Sequence, residues 1–171
     1  MTNKEFVEKL LNVLNYKTVY MWGTFGSPVT DKILNEKIKQ YPTWYNSTRQ
    51  TLLRGLIGKG YFGFDCIGLI KGILWGWNAD PSKYHGGAVY KSNNVPDVSA
   101  NIFIEKCTPT TNFNTILPGE AVWLPGHIGI YIGDGKVIES SPAWKNGVQI
   151  TLLKDRRWLK HGKLPWIKYE G

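Results

Sequence analysis

Residues 120 to 153 hold four short apolar runs, EAVWL, HIGIYI, KVIES and VQITLL, parted by PG, GDG and KNG. Runs of that length, rich in Val and Ile and punctuated by turn residues, read as consecutive antiparallel strands. Helical patterns crowd the chain before them, although TVYMWGTFG (18–26) is β-branched and aromatic and then breaks at glycines. Thr2 and Glu5 have capping-box spacing, and Phe6, Val7, Leu10, Leu11 and Leu14 recur at helical intervals, which predicts an amphipathic helix over 3–15. Thr30 caps a second helix over 30–40, and 46–57 reads as a third. IGKGYFGF (57–64) reads as a glycine-punctuated loop, and 78–97 is turn-rich. A fourth helix spans 66–77, and Asp97 starts a short one that runs through Cys107. Helices first and strands last predict a single α+β domain over 1–171, with N-terminal helices packed on a C-terminal antiparallel β-sheet.

The stretch GFDCIGLIKGILWGW (63–77) places Cys66 directly after Asp65, a good N-cap residue. A thiol at a helix start faces free N–H groups and the positive end of the helix dipole. Both favour the thiolate, so a lowered pKa is expected. Gly68, Gly72 and Gly76 repeat at every fourth position, a face on which a helix can lie close to the sheet. An inert core cysteine on a buried helix fits the same stretch. Cys107 reads as a small apolar residue at a helix end.

A nucleophilic cysteine needs a base, usually histidine, oriented by a third polar group. Of three histidines, His85 sits in the turn YHGG and His161 in KHGK, both reading as solvated loop residues. His127 opens the strand HIGIYI, where geometry is better held. The hairpin register then decides Glu139. A two-residue Asp134-Gly135 turn would pair Glu139 with Ile130 and bury it among Ile128, Ile130, Ile132 and Ile138. A three-residue turn pairs Glu139 with Gly129, diagonal to His127 on the same face, where it can orient the imidazole. The second register is the expectation.

These residues resemble a known pattern. Cys66 within FDCIGL, followed by PGEAVWLPGHIGIYIGDGKVIES, resembles the NlpC family of cell-wall cysteine peptidases. The resemblance implies a papain-like cysteine peptidase fold that cleaves peptidoglycan stem peptides, commonly between D-γ-glutamate and the diamino acid. By position it implies Cys66 as nucleophile, His127 as base and Glu139 as the third polar residue. It implies substrate-binding positions at Tyr20, at Trp22 beside it, at the motif aspartate Asp65, and at Ile67. Three departures accompany it. Ile67 stands where the family has a serine, and glutamate replaces the usual histidine, asparagine or glutamine. An unusual insertion at about 24–63, with Trp44, Tyr45, Arg49 and Arg54, could be a substrate wall or a structural elaboration. A CHAP-like amidase, an acyl transferase using the same pair, and a non-catalytic wall-binding module remain alternatives.

The net charge of +8 suits anionic wall polymers as well as nucleic acid, but the basic residues follow no recognition-helix, finger or RRM pattern, so nucleic acid is not expected. No CxxC spacing suggests zinc, and the Cys/His chemistry requires no cofactor. MTNKEFVEKLLNVLNYK lacks the apolar core of a signal peptide, and no run approaches ~18 apolar residues. The expectation is a monomer without membrane insertion, cytoplasmic until another factor, as with phage lysins, releases it to the wall.

Overall fold

The computed structural model describes residues 1–171. Helix α1 (Asn3–Asn12) starts at the capping box, with Glu5 and Thr2 exchanging both hydrogen bonds, and a 3-10 turn carries it to Asn15. Strand β1 (Lys17–Tyr20) and strand β2 (Phe25–Pro28) lead into α2 (Asp31–Gln40), capped by Thr30, and α3 (Ser47–Arg54), capped by Asn46. Strand β3 (Tyr61–Phe64) follows, and Asp65 caps α4 (Cys66–Leu74). The chain then runs irregularly to α5 (Ala100–Lys106). The rest is strand: β4 (Ala121–Leu124), β5 (His127–Gly133), β6 (Lys136–Ser141), β7 (Gly147–Leu152) and β8 (Lys160–Gly162).

Two sheets result. The large one is antiparallel throughout, in the order β7-β6-β5-β4-β8, and β4 to β7 are the four strands the sequence predicts. The small one, β1-β3-β2, is not legible locally: Tyr61–Phe64 reads as loop because Gly60 and Gly63 flank and interrupt it. It is a strand because β1 pairs with it in parallel and β2 antiparallel. All nine residues of α4 are buried, wedged between the sheets. Leu69, Ile70 and Ile73 join Ile128, Ile130 and Ile138 in the main core. A separate cluster of Val19, Met21, Val29, Leu34, Tyr45 and Leu53 holds α2 and α3 on the small sheet.

The glycines of α4 pack on β2, not on the large sheet. A Cβ at Gly68 would lie 1.9 Å from the Thr24 carbonyl oxygen, and one at Gly72 would lie 2.5 Å from that of Phe25. Gly76 is no part of this face. It is the left-handed residue (φ +90) of a Schellman cap, with Trp77 N–H donating to Gly72 O and Gly76 N–H to Ile73 O. The helix therefore ends at Leu74, short of 77. One other boundary moves for a similar local reason. Ser99, not Asp97, caps α5, because Asp97 is drawn into an ion pair with Lys71.

The hairpin has the expected register by a different device. Gly133 pairs with Lys136 across a two-residue turn in which Asp134 and Gly135 both have positive φ, 52 and 71. A bulge between Tyr131 and Gly133 absorbs the extra residue, so Ile130 pairs with Ile138 and Glu139 falls opposite Gly129. No helix is long and apolar enough to cross a membrane.

Candidate active site

Cys66 is the first residue of α4, 7% exposed, and its sulfur lies 4.0 Å from the carbonyl oxygen of Gly126. The N–H groups of Ile67, Ile128 and Cys66 itself are directed at the sulfur and draw its pKa down. The thiol thus sits against the chain on both sides of His127. Burial nevertheless dominates, and the Asp65 carboxylate adds to it, so the pKa is pushed up to about 12. The expectation of a lowered pKa is corrected: helix-start N–H groups are present, but the site is too dry for them to prevail. Cys66 in this state is a neutral thiol. Both cysteines are free, and Cys107 is buried with its thiol on the Phe103 carbonyl.

His127 and Glu139 meet as the register requires. The imidazole Nε2 is 2.8 Å from Glu139 Oε1. A carboxylate can only accept, so Nε2 carries the proton and Nδ1 is the free nitrogen. Trp158 stacks on the ring, 5.6 Å between centroids and nearly parallel. Glu139 is 0% exposed, and two partners unforeseen from sequence hold it. Thr151 Oγ1 donates to Oε2 at 2.6 Å, and Arg156 Nε donates to Oε1 at 2.8 Å, while its Nη2 lies 2.7 Å from Oε1 in the ion pair and donates to Ser141 Oγ at 3.0 Å. Burial alone would raise the Glu139 pKa, but hydrogen bonds from His127, Arg156 and Thr151 outweigh it and hold the carboxyl below its ordinary value. Thr151 gave a faint signal, a hydroxyl in an apolar strand. Arg156, in KDRRW, gave none.

The other singled-out residues line one cleft of about 730 Å³ that reaches Cys66 and Gly126. Tyr20, Trp22, Asp65 and Ile67 are all on its wall. Asp65 does more than cap α4: one oxygen accepts from Gly68 N–H at 2.6 Å, the other from Gly23 N–H at 2.8 Å, tying the β1–β2 turn to the helix start. Burial pushes the Tyr20 hydroxyl pKa up, helped by Cys66 and Asp65, so it stays protonated as a donor beside the thiol. Residues 24–63 contribute Lys37, Gln40 and Tyr41 from α2 and its end to the same wall. Trp44 packs on Tyr20 and carries Arg49 on its ring, and Tyr45 donates to the Trp22 carbonyl.

Neither remaining histidine is a fully solvated loop residue. His161 is 1% exposed in β8, its ring nitrogens against Glu120 at 2.9 Å and the Asn112 carbonyl at 2.7 Å. It is a structural tie at the sheet edge. His85 is stacked on Phe25 at 4.2 Å and lines the cleft. Both lie near turns in sequence, and only long-range packing buries His161 and half-buries His85.

A helix-borne cysteine set against a strand-borne histidine and its carboxylate is the arrangement of the papain-like α+β proteins. Solved structures locate the chain within that class. It is similar to NlpC2 from Trichomonas vaginalis (TM-score 0.54, 13% identity, 95% of this chain and 46% of that one). It is also similar to NlpC1 from the same organism (0.52, 12%, 94% and 44%). A third likeness is the P60 domain of an antigen from M. avium subspecies paratuberculosis (0.51, 15%, 95% and 96%). The chain spans less than half the length of both Trichomonas chains. No family model matches the sequence, and no curated protein matches it. The fold is that of the NlpC and P60 domains, as the resemblance in the sequence implies.

Proposed function

We propose that the protein is a cysteine endopeptidase that hydrolyses peptidoglycan stem peptides, at the bond between D-γ-glutamate and the diamino acid. The observation that carries this reading is the hydrogen-bonded His127–Glu139 pair beside a cysteine that opens a helix into a cleft. The pair leaves Nδ1 of His127 free, and a neutral thiol needs a base as it attacks. His127 takes the Cys66 proton while sulfur adds to the amide carbonyl. The N–H groups of Cys66 and Ile67 at the helix start are suited to receive the oxyanion. The C–N bond then breaks as His127 returns the proton to the amine, leaving a thioester. Water, deprotonated by His127, hydrolyses it and regenerates the thiol. Glu139 holds the imidazole in the tautomer this sequence needs.

The test is digestion of purified peptidoglycan by the wild type, Cys66→Ala and Glu139→Gln, with products identified by mass spectrometry. Fragments ending at D-γ-glutamate, absent with Cys66→Ala, are expected, with a milder loss for Glu139→Gln. Fragments with other new ends would favour the CHAP-like alternative. One observation favours a different reading: Cys66 contacts Gly126 without a hydrogen bond to His127, as a non-catalytic wall-binding module could tolerate. Binding to sacculi without any product would decide for that module.

A further inference from the structure

Helix α2 buries Ile33, Leu34 and Lys37, positions one, two and five of a single inward stripe. A lysine on that stripe breaks the pattern, because its neighbours face the protein and cations belong outside. It is 7% exposed, yet its ammonium has one hydrogen bond, to the neutral Gln40 Oε1 at 3.2 Å. An ammonium has three donors, and no carboxylate is within ion-pair reach. Asp65, Glu36 and Asp97 act on it only from a distance, and burial holds its pKa below the ordinary lysine value.

The same cleft supplies its own contrast. Lys71, equally buried, is fully engaged: Nζ lies 2.6 Å from Asp97 Oδ1 and 3.3 Å from the Val98 carbonyl. A second nitrogen near Lys37 has no hydrogen bond at all. His85 Nδ1 is buried without a hydrogen bond, and burial followed by the Lys37 charge lowers the pKa of its ring. A half-buried imidazole with one unpartnered nitrogen and a buried ammonium with a single neutral partner, both on the cleft that ends at Cys66, describe a place for an anion.

We propose that Lys37, with His85 beside it, forms a subsite that binds a free carboxylate of the substrate in the cleft leading to Cys66. This rests on the hydrolytic reading above for what the substrate is, though not for the existence of the site. A γ-linked glutamyl residue leaves its α-carboxylate free, and a stem peptide also has a carboxylate at its C-terminus. Either could supply the anion, and the charge of Lys37 is what both would meet. Residues 24–63 are then a wall of the substrate site, not an ornament.

The site is tested first without any wall substrate. Cys66 is modified at pH 7.5 with 2-carboxyethyl methanethiosulfonate, which carries a carboxylate, and with methyl methanethiosulfonate, which is neutral. Peptide mapping separates Cys66 from the buried Cys107. The wild type is expected to prefer the carboxylate reagent, and Lys37→Met to lose that preference about 10-fold, as for a hydrogen bond to a charged group. Lys37→Arg, which keeps the charge, should retain most of it. Methionine preserves the side-chain volume on an apolar stripe, so Lys37→Met is expected to fold, with circular dichroism as the check. An unchanged reagent ratio in Lys37→Met overturns the proposal. The second arm compares stem peptides bearing the γ-linked glutamyl α-carboxylate, its α-carboxamide, or an amidated C-terminus. The amide that lowers kcat/KM in the wild type but not in Lys37→Met identifies the carboxylate bound. Should the reagent preference depend on Lys37 while no peptide is cleaved, the anion site stands and the peptidase reading falls.

Discussion

Glu139 is an ionised side chain with no solvent, and its neighbours explain how that is sustained. Arg156 and Thr151 complete what His127 begins, so the carboxylate accepts on both oxygens. Removing the guanidinium leaves a fully buried charge with weaker support, which costs about 3–5 kcal/mol when a buried pair is broken. Arg156→Ala should therefore lower the unfolding free energy from urea titrations by an amount in that range and lower activity with it. The depressed Glu139 pKa also fixes a pH dependence. Its stabilisation is fully present above the ordinary value of 4.5 and is lost as pH falls through the lower folded value. Thermal melts of the wild type should weaken below pH about 4.5, and the difference from Glu139→Gln should shrink over that same window. For Cys66, a thiol pushed up to about 12 should alkylate with iodoacetamide at a rate still rising at pH 10, where a helix-activated thiolate would have levelled off. A plateau near neutrality would mean that His127 ionises the thiol in solution.

Helix α4 is the element on which the site depends, and its position rests on two glycines. The Thr24 and Phe25 carbonyls occupy the space where a Cβ at Gly68 or Gly72 would go, and both are backbone atoms that cannot swing aside. Gly68→Ala is expected to destabilise by about 3 kcal/mol or more, since the helix and the small sheet must part. Gly76→Ala meets no atom within 4 Å and bears only the strain of its positive φ, about 1–2 kcal/mol. Urea titrations of the two variants give that order, and the reverse order would remove α4's close seat on β2 as the reason for its glycines. The stripe of three glycines thus serves two purposes, which sequence spacing alone presents as one.

At the scale of the whole molecule, the net charge of +8 acts together with a cleft that carries an unpaired cation. Attraction to an anionic wall is long-ranged and screened by salt. Binding to purified sacculi should weaken markedly between about 0.05 and about 0.5 M salt, and Cys66→Ala should bind as the wild type does. Salt-independent binding would mean that the surface charge has no part in it. The large sheet, meanwhile, seals its edge by burying His161 between Glu120 and the Asn112 carbonyl, a tie formed across the C-terminal third of the chain.

The sequence by itself determined whatever is decided within about one turn of helix or one hairpin. The capping box of α1, the Asp65 cap that puts Cys66 first in α4, the four strands β4 to β7 and the Glu139 register are of this kind. Each follows from periodicity, a cap or the penalty of burying a charge on the wrong face. The tertiary structure alone decided the rest. Tyr61–Phe64 became a strand because β1 and β2 supply its hydrogen bonds, against its own glycines. Arg156 joined Glu139 from 17 residues away, and His161, assigned to a loop, was buried by chain that the local pattern does not contain. The thiol's pKa went up and not down because desolvation is a property of the whole packed site, while the helix-start N–H groups belong to three or four residues. Local chemistry placed the reactive groups, and burial set their charge.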